Sequence, residues 1–143
     1  MEIENINIEE AKGNLEKFLI DMNKWEVNFH RDRIELLNND QNTSARVKSA
    51  YDELNSIFNK YCIPEKCDRR RLDSLDTGIP TTYDIERDLL QLHKTTKDSI
   101  TFLYKQYDGW DIYFVLKKHG GDWMLHKAQY FDTDKQKLAV FIL

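Results

Sequence analysis

The chain has 143 residues, of which 41% are hydrophobic and 32% charged, and its formal net charge is −4. That composition excludes a disordered or low-complexity chain, and the length suits one domain, residues 1–143, burying roughly 70% of the surface of its unfolded form. The acidic balance disfavours nucleic acid as a partner, and the longest apolar run, Leu138 to Leu143, falls far short of the roughly 20 residues that span a membrane.

The acidic start MEIENINIEE lacks the basic flank and apolar stretch of a signal peptide. Cys62 and Cys67 are too few for a disulfide-dependent secreted domain, so free thiols and a cytoplasmic location are expected. Asn7-Ile8-Glu9-Glu10 has the form of a capping box, with Ile6 and Ala11 placed as a staple across it, and predicts a helix starting there. Ala11, Leu15, Phe18, Met22, Trp25 and Phe29 continue it as one apolar stripe to about Leu37. Gly13 weakens its first turns by about 1 kcal/mol relative to alanine.

After a loop at Asn38 to Asn42, with Asn42 or Thr43 as cap, Val47, Ala50, Leu54, Ile57 and Tyr61 form a second stripe, which Tyr51 and Phe58 widen. It should end near Pro64, because a proline pushes the residue before it out of helical geometry. Pro64 to Thr82 is irregular, with room for a short helix before Leu75.

Beyond Tyr83 the period changes to alternation, predicting strands at Ile85 to Leu92, Ser99 to Gln106, Asp111 to Lys118, Trp123 to Phe131 and Leu138 to Leu143. Helices over about 8–63 followed by an antiparallel sheet over about 83–143 indicate an α+β fold with helices packed on one face of the sheet. Gly120-Gly121 supplies the two positive-φ positions of a tight hairpin turn. In the strand before it, Ile112, Phe114 and Leu116 alternate with Tyr113 and Val115, so both faces are apolar and both need cover. The helical stripes supply one cover, and strong curvature of the sheet supplies part of the other.

Little in the chain resembles assembled chemistry. Cys62 and Cys67 are separated by four residues with no second pair, and His119 and His126 by six, which is not a four-ligand zinc pattern; neither metal nor cofactor is expected. No Gly-x-Ser-x-Gly elbow occurs, and Gly120-Gly121 does not precede a helix that would bind phosphate. Asp111, Tyr113, His126 and Tyr130 are the candidates for acid-base work inside an apolar cone, against the plainer reading of a solvated or hydrogen-bonded histidine.

Charge and aromatics say more. Asp73, Asp76, Asp84, Glu86 and Asp88 stand against Arg87 alone, and this segment carries the whole net charge of −4. Such a segment is either a solvated loop and strand edge or a surface that attracts a basic partner. Tyr107 and Trp110 flank the turn Asp108-Gly109, where burial is least expected. An exposed aromatic beside carboxylates suits a protein-binding anchor.

Four strings, in order, carry a family likeness: Phe18-Leu19-x-x-Met22-Asn23-x-Trp25-Glu26; Ile57-Phe58-Asn59-Lys60-Tyr61-Cys62; Gly78-Ile79-Pro80 with Tyr83; and the hairpin Tyr113 to Lys127 with Gly121-Asp122-Trp123. On these the chain resembles the immunity proteins with a nuclear transport factor 2-like fold, including those paired with rearrangement-hotspot toxins of bacterial polymorphic toxin systems. The resemblance implies a small bacterial cytoplasmic protein that occludes a cognate toxin C-terminal domain, a cone-shaped α+β fold, and no catalytic residues. It defines no single toxin-binding surface, so charge and exposure place the expected interface at Asp73, Asp76, Asp84, Glu86, Asp88, Tyr107 and Trp110. The alternatives are a ligand-binding or isomerase-like or dehydratase-like enzyme of the same fold, which requires a deep cavity with a carboxylate or histidine near a tyrosine, and an assembly module dimerising through the outer sheet face. Monomer and homodimer are both open.

Overall fold

The computed structural model describes residues 2–107 and 109–143. Helices α1 (Glu2–Asn38), α2 (Ser44–Tyr61) and α3 (Arg71–Ser74) come first. Strands β1 (Leu89–Thr95), β2 (Ser99–Lys105), β3 (Asp111–His119), β4 (Asp122–Asp132) and β5 (Lys137–Val140) follow as an antiparallel meander in the order β1-β2-β3-β4-β5. This is the expected α+β arrangement.

The stripe of α1 is buried throughout, from Ala11 through Leu15, Phe18, Leu19, Met22 and Trp25 to Phe29. It meets Ala50, Leu54, Phe58 and Tyr61 of α2 on one side and the sheet on the other. Trp25 joins the two helices by donating its indole N–H to the Ala50 carbonyl at 2.9 Å, which pairs the one polar atom of that buried ring. Tyr51, expected to widen the second stripe, is exposed instead.

Strand β1 ends at Thr95 rather than Leu92, several other boundaries shift by one residue, and three move further. Helix α1 runs through the Asn7 capping box, and Ile6 is exposed rather than a staple. Tertiary contact overrides the local start signal: Asn7 accepts from the Trp123 indole at 3.4 Å, and Asn14 donates to the Trp123 carbonyl at 3.0 Å. Strand β1 starts at Leu89 because Asp84 winds Ile85 to Asp88 into a turn, its carboxylate accepting from the Glu86 N–H at 3.0 Å and its carbonyl from the Asp88 N–H at 2.9 Å. Strand β5 ends at Val140, after which Ile142 bridges to Asp68. The cap of α2 falls to Asn42, which accepts the Ser44 N–H at 2.7 Å, while the Thr43 side chain makes no capping bond.

The β3–β4 hairpin turns at Gly120 (φ +59°) and Gly121 (φ +86°). Ile112, Phe114 and Leu116 face the helices, with the Phe114 ring 6.4 Å from that of Phe18. Tyr113 and Val115 face away; Val115 is only 8% exposed, while Phe131 and Leu138 on the same face stay exposed, so the second apolar face is covered in part. Two alanines should act with opposite sign. Gly121→Ala places a side chain in the left-handed region and is expected to lose about 1 kcal/mol, whereas Gly13→Ala, with nothing within 4 Å of the added methyl, should gain about 0.5–1 kcal/mol. Urea unfolding midpoints of the two variants check both signs.

A candidate partner-binding surface

The irregular segment before β1 is held by α1. Asn23 and Glu26, one helical turn apart, both reach it. The Asn23 amide donates to the Thr81 hydroxyl at 3.0 Å and the Tyr83 carbonyl at 2.6 Å. Glu26, only 2% exposed, accepts the N–H groups of Gly78 at 3.0 Å and Thr82 at 2.9 Å. Its charge is met by Arg71, 6% exposed, at 3.0 Å. The guanidinium also donates to the carbonyls of Asp76 and Leu143, each at 3.0 Å, and lies over the Trp25 ring. The strings around Trp25-Glu26 and Gly78-Ile79-Pro80 with Tyr83 are therefore the two halves of one joint.

The next contact fixes the end of the acidic segment. The Asp88 side chain has no accessible surface; it pairs with Arg87 at 2.6 Å and accepts from the Tyr104 hydroxyl and, at 2.9 Å, from the Tyr107 N–H. Burial alone would raise its pKa, but the hydrogen bonds from Arg87, Tyr104 and the Tyr107 backbone outweigh that and hold it below the usual carboxylate range. The folded state thus binds fewer protons than the unfolded one, so this contribution is complete above the unfolded value of about 3.9 and is lost as pH falls through the folded one. Urea midpoints should fall below about pH 4, with a shallower decline in Asp88→Asn.

Gln106 then locks the β2–β3 turn beside that segment. Its amide oxygen accepts the Trp110 N–H and its amide nitrogen donates to the Thr82 carbonyl, each at 2.8 Å. A side chain at Gly109 would start 2.3 Å from the Gln106 amide oxygen, so it would displace the Gln106 side chain from this position. Trp110 stands edge-on against Tyr130 with ring centroids 4.8 Å apart and keeps 54% of its surface exposed. Tyr107 is 83% exposed and Ile79 70%. Asp108, on the same turn, lies outside the described residues.

Pro80, Thr82, Arg87, Gln106, Tyr107 and Trp110 line a concavity of about 600 Å³. It adjoins a second of about 560 Å³ that includes Arg70, Ser74 and Asp76, the two sharing Pro80, Thr82 and Phe141. Of the five acids of the segment, Asp76 lines these adjoining concavities, beside Arg70, Arg71 and Arg87. Asp73, Asp76 and Glu86 are exposed, while Asp84 is half-buried in its own turn. Asp88 differs from the sequence reading, since its carboxylate points inward and holds the turn rather than facing a partner.

Asn23, Glu26, Arg71 and Gln106, which build this surface, were not singled out as site residues in the sequence reading. Glu26 did leave a signal: it lies four residues after Met22 and three before Phe29, on the apolar face of α1, where a carboxylate needs a buried partner.

The acid-base set is not assembled. Tyr113 and His126 lie on the sheet face away from the helices, Tyr130 packs between Trp110 and Phe141, and Asp111 is exposed at the start of β3. The space between helices and sheet is filled by Phe18, Phe58, Tyr83, Tyr104 and Phe114. Two core tyrosines donate to carboxylates, Tyr104 to Asp88, which Arg87 neutralises, and Tyr61 to Asp21 at 2.5 Å. Among the described residues no group of three or more His, Cys, Asp or Glu is placed to hold a metal, and no helix is long and apolar enough to cross a membrane. Cys62 and Cys67 are free thiols, the first buried and the second half-buried.

The family described as NTF2 fold immunity protein matches residues 10–139. Immunity protein RhsIA of Dickeya dadantii (strain 3937) is 25% identical over 126 residues, which cover 87% of this chain and 89% of that protein. No solved structure matches the chain.

Proposed function

Since the chain belongs to the NTF2 fold immunity proteins, we propose that it neutralises a cognate toxin C-terminal domain by binding and covering it in the bacterial cytoplasm, without catalysis of its own. The observation that supports the binding surface is the concavity lined by Pro80, Gln106, Tyr107 and Trp110, with both aromatics exposed, which adjoins a second containing Asp76. Each part is suited to a task. The carboxylates steer a basic toxin surface into contact, and Trp110 supplies an aromatic anchor that gains most when it is desolvated. Asp84 and Asp88 shape the turn on which the acidic segment is displayed.

Rigidity matters as much as composition. Glu26, Asn23 and Gln106 already fix the backbone of both loops, so little conformational entropy is lost on binding. Occlusion needs nothing further from this chain than a pre-formed surface of sufficient area.

The test is co-expression in bacteria with the toxin domain encoded immediately upstream, followed by size-exclusion chromatography of the mixed purified proteins. Protection of the cells and a stable complex are expected. Toxicity undiminished by the chain, with the two proteins eluting separately, would overturn the reading.

A further inference from the structure

The sheet face turned away from the helices carries a second surface, lined by cations. Residues of all five strands line a groove of about 560 Å³ there. Tyr113, Val115 and Phe131 form apolar parts of its lining, and Lys94, Lys117 and Lys127 bring three cations to it. No carboxylate lines the groove among the described residues, and none of the three lysines is in an ion pair with them. His93 and His126 also line it, with the His93 ring 4.9 Å from that of Tyr113. The local field registers on His126, whose pKa is lowered by burial and then by Lys117, Lys66 and Lys127.

This placement is uneven for a protein whose net charge is −4. The acids of the candidate surface gather around the loops before β1, and the groove on the other face is left with bases. Cations held close together on a curved face, beside apolar side chains, repel each other unless an anion lies between them. We propose that this groove takes an acidic, extended segment of the same toxin chain, one that places an apolar side chain against Tyr113 and Phe131 and its carboxylates against Lys94, Lys117 and Lys127.

A second copy of this chain fits less well. A two-fold dimer through this face would set the three lysines against themselves, and docking the acidic loops of one copy into the groove of the next is head-to-tail and builds an open chain rather than a closed pair. A toxin domain with a basic body and an acidic arm satisfies both surfaces at once. The inference rests on the immunity reading above.

The experiment uses the full chain and the upstream-encoded toxin domain, with affinity measured by calorimetry. Lys94→Glu/Lys117→Glu/Lys127→Glu is expected to weaken binding about 100-fold, and the corresponding triple glutamine variant about 10-fold, with thermal midpoints checking that both remain folded. A photo-crosslinking residue at Gln129, which lines the groove, should capture an acidic segment of the toxin. Wild-type affinity in both triple variants, or crosslinks to a second copy of the chain, would overturn this inference and leave the proposed function standing. Absence of toxin binding by the unmodified chain would overturn both.

Discussion

Glu26→Ala is expected to destabilise the protein by about 3–5 kcal/mol. The substitution removes one partner of a buried ion pair and leaves the Arg71 guanidinium, 6% exposed, without its carboxylate. It also strips the Gly78 and Thr82 N–H groups of their acceptor, and each unsatisfied buried donor adds about 1–3 kcal/mol unless water reaches it. These costs overlap, because relaxation of the 76–83 segment that admits water also solvates Arg71, so they do not sum. Glu26→Gln should retain one of the two backbone contacts and fall between alanine and wild type.

A double variant separates charge from shape. Replacing Glu26 and Arg71 together with leucine and methionine removes the desolvated pair and leaves an apolar seam against Trp25, so much of the lost stability should return. Urea unfolding of the three variants gives the comparison. A loss below about 1 kcal/mol in Glu26→Ala would mean that the joint is not a structural anchor.

The joint also shows what local patterns in the chain reveal and where they stop. Periodicity located both long helices, the order of the five strands and the Gly120-Gly121 turn, because each of these is written in residues three, four or two apart. Glu26 binds Gly78 across 52 positions, and Gln106 reaches Thr82 across 24, so neither link has a local signature. The start of α1 moved for the same reason: Trp123 uses Asn7 as a side-chain partner at a distance of 116 positions, and the capping box it belongs to is absorbed into the helix. Counting charge along the chain grouped five acids as one patch. Only side-chain direction separates Asp88, which faces Tyr104 and Arg87, from Asp73, Asp76 and Glu86, which face solvent.

That separation sets the second large effect. Trp110→Ala is expected to weaken toxin binding by about 2–4 kcal/mol, roughly 30- to 1,000-fold, while thermal stability changes little. The asymmetry follows from its placement: half of Trp110 is already solvent-exposed in the free protein, so folding gains less from it than a complex that covers it would. Its contact with Tyr130 and the Gln106 bond to its backbone hold the ring in position, and the backbone bond survives truncation. The loss should therefore appear as faster dissociation. Reversing Asp73, Asp76 and Glu86 to lysine should instead slow association, by about 10-fold at low salt and much less at 0.5 M, since exposed charges act at long range and are screened. Stopped-flow measurement of both rate constants distinguishes the two. If Trp110→Ala leaves dissociation unchanged and the charge reversals leave association unchanged, the toxin does not use this surface, whatever protection the chain confers.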